Sequence, residues 1–271
     1  MLVVLLAVCA GGCTAVFFQP MVAHLHTPEE LGLAYEDVYF KTADGLTLHG
    51  WFLPAHGEAR ATVLFLHGNA ENISTHIASV YWLPAQGFNV FLPDYRGYGR
   101  SQGTPTLAGL EEDIDSSMRY LLGRRGVDNR RLIVFGQSLG GALATYYVAH
   151  TSYREHIRAL VSDSAFASFR DIAREKLGGF WLSWPLSRPL SYTVDDDYSP
   201  IRSIAAVSPI PVLIMHGDKD YIVPPEHAHK LYEAAKPPKD LWIVANSGHI
   251  EALRQQAARE RFVQYLRARA Q

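Results

Sequence analysis

Short, wholly apolar runs alternate with longer amphipathic stretches along the chain after Pro20. This alternation is typical of strands joined by crossover helices, which form a mostly parallel sheet with helices on both faces. Strands buried on both faces are expected to be apolar throughout. The predicted parallel strands are residues 62–66, 90–92, 132–135, 159–161, 212–215 and 242–244. The sequence therefore predicts an α/β fold.

Two further runs complete a predicted sheet of eight strands. Residues 38–41 and 46–53 flank the turn-forming sequence Ala43-Asp44-Gly45, which predicts an antiparallel hairpin. Helices are predicted at residues 73–86, 107–122, 139–150, 226–235 and 250–266. Residues 166–208 depart from the alternation of strands and helices. They contain aromatic side chains, prolines and an acidic run where a single crossover helix would suffice. Such an insertion is a candidate lid over a binding cleft.

The composition limits the classes of function. A chain of 271 residues suits one domain, predicted here at residues 21–271. Lys and Arg number 25 against 27 for Asp and Glu, without a basic block, so nucleic-acid binding is not expected. Both cysteines, Cys9 and Cys13, precede the predicted domain and leave it no thiol for redox chemistry. The histidine spacings complete no metal-binding pattern, so no metal or other cofactor is expected.

An apolar segment opens the chain, and residues 1–20 are assigned to a leader that attaches the domain to a membrane. The run 2–10 continues into Ala10-Gly11-Gly12-Cys13, which resembles the cleavage box of a bacterial lipoprotein. Cleavage there would leave Cys13 as a lipidated N-terminus facing the periplasm or the cell surface. Alternatively, residues 2–18 form one anchoring helix at the short end of the roughly 17 to 25 residues that span a bilayer. A buried N-terminal helix is the third interpretation.

The pentapeptide Gly136-Gln137-Ser138-Leu139-Gly140 lies between a predicted apolar strand and an alanine-rich helix. A tight strand-to-helix turn needs small residues around its central residue, so that the serine Oγ can project above the sheet. The N-terminus of the following helix supplies backbone donors and a favourable dipole. In this setting Ser138 is the predicted nucleophile, and a glycine-rich packing turn is the alternative interpretation.

A serine hydroxyl at neutral pH needs an adjacent base, which is in turn oriented by an acid. His249 follows the last predicted strand and is the predicted base. The loop after the strand at 212–215 offers two carboxylates. Asp220 is the predicted acid because it lies farther into this loop, where its side chain can reach the histidine. Asp218 and Asp163 are alternatives for the same role.

Negative charge that develops on a substrate oxygen needs hydrogen-bond donors already in place. The loop after the strand at 62–66 is one expected source of such a donor, and the residue after the nucleophile is the other. The predicted oxyanion hole consists of the backbone N–H groups of Asn69 and Leu139, with Ala70 as an alternative to Asn69. His67 is predicted to be structural, since no acid accompanies it.

Five motifs occur in order along the chain. They are HGNAEN from His67, DYRGYGRSQG from Asp94, GQSLG from Gly136, HGDKDYIVP from His216 and SGH from Ser247. Over about residues 40–266 they resemble the α/β hydrolases of the serine-aminopeptidase-like group, especially its membrane-anchored branch of protein depalmitoylases and lysophospholipases. The resemblance implies an α/β-hydrolase fold with a small lid insertion and a triad of Ser138, Asp220 and His249. It also implies structural roles for Asp94 and Arg96.

These features predict a serine hydrolase that cleaves carboxylic ester or thioester bonds through an acyl-enzyme intermediate. The membrane-attaching leader and the aromatic insertion favour a hydrophobic or lipid-like acyl substrate. Two alternatives remain: an amidase or peptidase with the same triad, and a membrane-tethered binding protein whose site has decayed. The serine at position 138, where an aspartate would be needed, argues against dehalogenase and epoxide hydrolase chemistry.

Overall fold

Eight strands form the main sheet at the centre of the fold. A computed structural model describes residues 18–178 and 186–271 of the chain. In chain order the strands are β1 (Glu36–Lys41), β2 (Thr47–Leu53), β3 (Ala61–Leu66), β4 (Phe88–Pro93), β5 (Leu132–Gln137), β6 (Ile157–Asp163), β7 (Val212–Gly217) and β8 (Lys239–Val244). Their order across the sheet is β8-β7-β6-β5-β3-β4-β2-β1.

The sheet is parallel except on the side of the opening hairpin. β1 pairs antiparallel with β2, and β2 with β4, whereas the other neighbouring strands run parallel. The predicted α/β class, the hairpin and the number of strands are therefore confirmed. The register pairs Leu66 with Gly136 and Gln137 with Asp163, so the carboxyl ends of β3, β5 and β6 lie at one edge. The loops that follow these strands meet there.

Helices cover both faces of the sheet. They are α1 (Ile73–His76), α2 (Leu107–Gly123), α3 (Leu139–His150), α4 (Phe169–Gly178), α5 (Ser187–Ser191), α6 (Pro200–Val207), α7 (Glu226–Ala234) and α8 (Gln256–Arg269). Alternate side chains of β5 point to opposite faces of the sheet, since Val134 belongs to one apolar cluster and Phe135 to the other. α2, α3, α6 and α7 complete the first cluster, and α8 completes the second. Each large apolar side chain buried in these layers stabilises the folded state by about 1.5–3 kcal/mol.

Two predicted helices were wrong in extent. The stretch 73–86 is helical only in α1 and then continues in short 3₁₀ turns. Pro84 begins the last of these turns, and a proline cannot continue an α-helix because it lacks the N–H donor. The helix predicted at 250–266 begins only at Gln256, as α8, because Ile250 has a left-handed backbone with φ 54° and Gln255 is extended with ψ 128°.

The predicted leader and part of the predicted lid lie outside the described residues. These parts are residues 1–17, with Cys13, and residues 179–185. Within the described part of 166–208, α4 and α5 stand at the carboxyl edge of the sheet, whereas α6 packs on α3 as a crossover helix. Among the described helices, none has the length and the apolar character needed to cross a bilayer.

Candidate active site

Ser138 occupies the sharp turn between β5 and α3. Its backbone has φ 54° and ψ −117°, a conformation that residues other than glycine rarely adopt. A Cβ atom on Gly136 would lie 2.1 Å from the carbonyl oxygen of Gly140, and one on Gly140 would lie 2.1 Å from the carbonyl oxygen of Leu66. Both positions therefore require glycine, because backbone segments pack too closely for any side chain. This packing holds Ser138 in its strained turn at the edge of the sheet.

A chain of hydrogen bonds links Ser138, His249 and Asp220. The His249 Nε2 atom lies 3.0 Å from the Ser138 Oγ atom, and its Nδ1 atom lies 2.7 Å from an Asp220 carboxylate oxygen. An ionised carboxylate can only accept, so the proton of the neutral ring sits on Nδ1. Nε2 is then free to accept the serine proton. The three predicted residues thus meet, from separate loops, in an arrangement that can activate the hydroxyl as a nucleophile.

The Asp220 carboxylate is held in its ionised form. One oxygen accepts hydrogen bonds from the backbone N–H groups of Ile222, at 2.9 Å, and Val223, at 2.8 Å. The other oxygen lies 3.1 Å from the His216 Nε2 atom in addition to its bond with His249. Burial by itself raises the pKa of Asp220, but the hydrogen bonds from His216 and His249 outweigh burial and hold the pKa well below its usual range. The negative charge that orients the imidazole is therefore permanent at physiological pH.

The two alternative acids occupy other positions. Asp218 is exposed, and its carboxylate accepts a hydrogen bond of 3.3 Å from the backbone of Ser247. Asp163 is fully buried at the end of β6, where it bonds neighbouring side chains. Of these three carboxylates, Asp220 is the one that the structure bonds to His249.

A second hydrogen-bonded group supports the histidine loop. The Ser164 Oγ atom accepts a bond of 3.1 Å from the backbone N–H of Ile250 and donates one of 3.1 Å to Asp163. The other oxygen of Asp163 accepts from the side chain of Gln137 at 2.8 Å. These contacts fix the residue after His249 against the ends of β5 and β6. Sequence reasoning missed this role of Ser164, although its position just after a strand end was a usable signal.

The residues predicted to form the oxyanion hole lie around Ser138. Asn69, Ala70 and Leu139 line the same cavity as the serine. The loop that carries Asn69 approaches closely, since a Cβ atom on Gly68 would lie 3.6 Å from the Ser138 Cβ atom. Leu139 opens α3, and the N–H groups in the first turn of a helix have no partner within that helix. The oxyanion hole remains a prediction with this placement in its favour.

A segment before the first sheet strand, residues 18–25, is bound to the oxyanion loop. Gln19 and Pro20 pair in parallel with Ala70 and Glu71. The backbone N–H of Gln19 also donates to the Asn69 side chain at 3.1 Å. The folded part of the chain therefore begins before residue 21, the predicted boundary. Sequence reasoning missed this contact, because it counted these residues with the leader.

Asp94 is the centre of a buried network that ties this segment to the sheet. One carboxylate oxygen of Asp94 lies 2.9 Å from His24 and 3.1 Å from His49, and the other accepts from the backbone of Ile73 at 3.1 Å. His49 also lies 2.8 Å from Asp37. Burial raises the pKa of Asp94, but the bonds from His24 and His49 hold it well below its usual range.

The same network brings three side chains of the metal-ligand type, those of His24, His49 and Asp94, within 4.8 Å of one another. The carboxylate oxygen of Asp94 that would face a metal ion already accepts from both histidines. Hydrogen bonding accounts for the cluster, which agrees with the structural role that the motif resemblance implied for Asp94. Arg96, the other residue of that motif, binds the Asp113 carboxylate through its backbone N–H at 2.7 Å and through its guanidinium at 2.8 Å and 2.9 Å.

A mostly apolar cavity of about 850 Å³ opens beside Ser138. The insertion supplies one wall of it, through Phe166, Phe169, Ile172, Leu177, Leu190 and Val194. A smaller cavity of about 240 Å³ shares Glu71, His76 and Ile250 with the first and is more polar. The site therefore offers a large apolar chamber that Ser138 lines and a smaller, more polar chamber that adjoins it.

His67 is buried, and among the described residues it makes no hydrogen bond or ring contact with the triad. Its Nδ1 atom lies 2.7 Å from the carbonyl oxygen of Gly68, and its ring packs 4.2 Å from the ring of Tyr95, between centroids. Burial lowers the pKa of His67 to about 3. These contacts agree with the predicted structural role.

We expect His67 to make the fold sensitive to acid. Between pH 6.5 and 3 the unfolded chain binds a proton at His67 that the folded chain does not, so stability falls as the pH drops through this window. The slope from this one group reaches about 1.4 kcal/mol per pH unit. A His67→Gln variant should therefore lose less stability between pH 7 and pH 4 than the wild type, as measured by urea unfolding. Equal losses in the two proteins would contradict this account.

A mostly parallel sheet with a serine on the strand-to-helix turn of β5, followed in chain order by an acid and a histidine, defines the α/β-hydrolase class of folds. A family model for the alpha/beta hydrolase fold matches residues 61–185. Uncharacterized protein YfhR of Escherichia coli strain K12 is 42% identical over 221 residues, which cover 80% of this chain and 74% of that protein. The chain therefore belongs to the α/β-hydrolase superfamily. This membership supports hydrolase activity.

Two further comparisons agree with this assignment. The alpha/beta hydrolase domain-containing protein WAV2 of Arabidopsis thaliana is 34% identical over 233 residues, which cover 82% of this chain and 74% of that protein. The solved structure of the Pyrococcus furiosus esterase Pf2001 superposes with a TM-score of 0.74 at 22% identity and covers 93% of this chain and 97% of that one. The resemblance inferred from the five motifs is thus confirmed at the level of the superfamily and its fold.

Proposed function

We propose that this protein is a serine hydrolase that cleaves ester or thioester bonds of a hydrophobic acyl substrate. The observation that carries the proposal is the hydrogen-bonded chain from Ser138 through His249 to Asp220, which opens on the apolar cavity. A serine in a packing turn would need neither a histidine at 3.0 Å nor a buried acid behind that histidine.

The proposed reaction has two halves. His249 takes the Ser138 proton while Oγ attacks the acyl carbonyl, and the oxyanion that forms lies toward the N–H groups of Leu139 and Asn69. The imidazolium then gives its proton to the departing alkoxide or thiolate, which leaves an acyl ester on the serine. In the second half, His249 deprotonates a water molecule that attacks this ester. The carboxylic acid departs, and the proton returns to Ser138.

The two cavities suggest which parts of the substrate they accept. The large chamber is lined mainly by apolar side chains and has the volume expected for a ligand-binding cleft, about 300 to 1,000 Å³. We therefore place the acyl chain there. The small chamber is bordered by Glu71, Thr75 and Arg254, and it suits the polar alcohol or thiol that leaves.

Attachment to a membrane through residues 1–20, by a lipid on Cys13 or by an anchoring helix, remains part of this proposal. A lipid-like acyl substrate in that membrane would then lie near the active site.

Reaction with a fluorophosphonate probe tests whether Ser138 is activated, since these probes modify serines paired with a base. We expect the wild-type chain to be labelled stoichiometrically on Ser138, and a Ser138→Ala variant to remain unlabelled. Ester, thioester and amide substrates with the same acyl chain then establish which bond is cleaved. A wild-type protein that resists the probe, or an alanine variant that is labelled equally, would exclude the proposed function.

A further inference from the structure

Large apolar side chains that line the cavity beside Ser138, or that adjoin its lining residues in the chain, remain exposed. Leu190 and Ile222 line the cavity and are still 42% and 53% exposed. Tyr192 and Tyr221, which each adjoin a cavity-lining residue in the chain, are 71% and 87% exposed. We call these four side chains the rim. Scattered apolar residues are normal on a protein surface, whereas a group of them around one opening indicates an interaction site.

The chain enters the domain at the same opening. Gln19 lines the cavity and pairs with Ala70 on the oxyanion loop. In the sequence, residues 2–18 directly before it are apolar except for glycines and one threonine. Val22, three residues later, is also largely exposed. The apolar start of the chain is therefore joined to the domain beside the cavity mouth.

The composition of the rim fits a lipid surface. Tyrosine combines an apolar ring with a hydroxyl and is enriched where hydrocarbon meets the polar headgroups of a bilayer. Leu190 and Ile222 have no polar group and suit the acyl layer just below the headgroups. A second copy of the chain would bury the same side chains, but it would not explain why the apolar start of the sequence joins the domain here.

We propose that the rim is a docking surface for a phospholipid bilayer, which turns the mouth of the cavity toward the lipid. Docked in this way, the domain can take an acyl ester from the bilayer into the apolar chamber without passing the acyl chain through water. The delivery of substrate rests on the proposed function. The docking itself does not, and it can be tested without any turnover.

Hydroxyl-radical footprinting with mass spectrometry tests the docking on the full chain. The oxidation rates of Tyr192 and Tyr221 are compared with and without vesicles of phosphatidylcholine. We expect both rates to fall several-fold when vesicles are present. Tyr39, on β1 at the far edge of the sheet and 57% exposed, is a control within the same molecule, and its rate should not change. Equal oxidation of the rim tyrosines with and without vesicles would overturn the proposal.

Self-association has a different outcome in the same experiment. If a second copy covered the rim, Tyr192 and Tyr221 would be protected at high protein concentration without vesicles, and lipid docking would be rejected. Neither result depends on hydrolysis, so a failure here leaves the serine chemistry intact.

A kinetic experiment links docking to substrate delivery. A Tyr192→Asp, Tyr221→Asp double variant should hydrolyse a long-chain ester embedded in the vesicles about tenfold more slowly, because it loses two aromatic anchors. Neither tyrosine lines the cavity, so hydrolysis of a short-chain ester dissolved in buffer should be unchanged. Tyr39→Asp is the matched control and should leave both rates unchanged. If the double variant slowed both reactions equally, or neither, substrate delivery through the rim would be wrong.

Discussion

Replacing Ser138 with alanine is expected to lower kcat for a p-nitrophenyl ester by about a million-fold, because the members of a triad act as a unit. No other group can form the acyl-enzyme when the hydroxyl is missing. The fold should be retained, since alanine and serine have the same Cβ atom and bear the strained turn at φ 54° equally well. Rates are measured at saturating substrate, and urea unfolding is measured in parallel.

A matched control is Ser116→Ala, which removes a serine hydroxyl that bonds Glu112 on α2. This variant should retain the full rate of hydrolysis. If Ser138→Ala kept a rate near that of the wild type, Ser138 would not be the nucleophile, and both the triad and the proposed function would be withdrawn.

Replacing Asp220 with asparagine should lower kcat by about ten-thousand-fold. The amide oxygen is expected to stay with the backbone N–H groups of Ile222 and Val223, which bind the carboxylate at 2.9 Å and 2.8 Å. The amide NH₂ group then faces the Nδ1 atom of His249, which must become an acceptor. The ring proton then sits on Nε2 and points at the Ser138 hydroxyl. Nε2 can therefore no longer accept the serine proton.

Asp218→Asn is the matched control for this prediction. Asp218 is exposed, and its carboxylate bonds only the backbone of Ser247 among the residues that the structure describes, so its substitution should cost less than about tenfold in kcat. The ring tautomer of His249 in each variant can be read from its ¹⁵N chemical shifts. A larger loss in Asp218→Asn than in Asp220→Asn would show that the acid has been assigned to the wrong carboxylate.

The activity of Asp220→Asn has a further use, because the neutral amide and the carboxylate have the same shape. The difference between the two proteins therefore reports the effect of charge and tautomer on His249, and any change in packing should be small. Matching near-ultraviolet circular dichroism spectra of the two proteins would establish this point.

Much of the fold followed from local patterns in the sequence. Apolar runs predicted the six parallel strands, because a strand buried on both faces can accept few polar side chains, and a turn sequence predicted the hairpin of the other two. Helix boundaries were less well predicted. The stretch 73–86 has the composition of a helix, but Pro84 interrupts it. The left-handed backbone of Ile250 prevents the last helix from beginning at that residue. Such boundaries depend on single residues and on how the chain must turn to enter a site.

By itself, the sequence determined the fold class, the strand-to-helix turn at Ser138 and the position of His249 after the last strand. These are consequences of hydrophobic periodicity and of the small residues that a tight turn needs, and both are properties of neighbouring residues. Only the tertiary structure decided which carboxylate reaches His249, how Ser164 holds its loop, and that Gln19 belongs to the oxyanion loop. Those contacts join residues that are 29 to 86 positions apart in the chain, at 2.7 to 3.1 Å. Distances of that size depend on how whole layers pack, which no short stretch of sequence encodes.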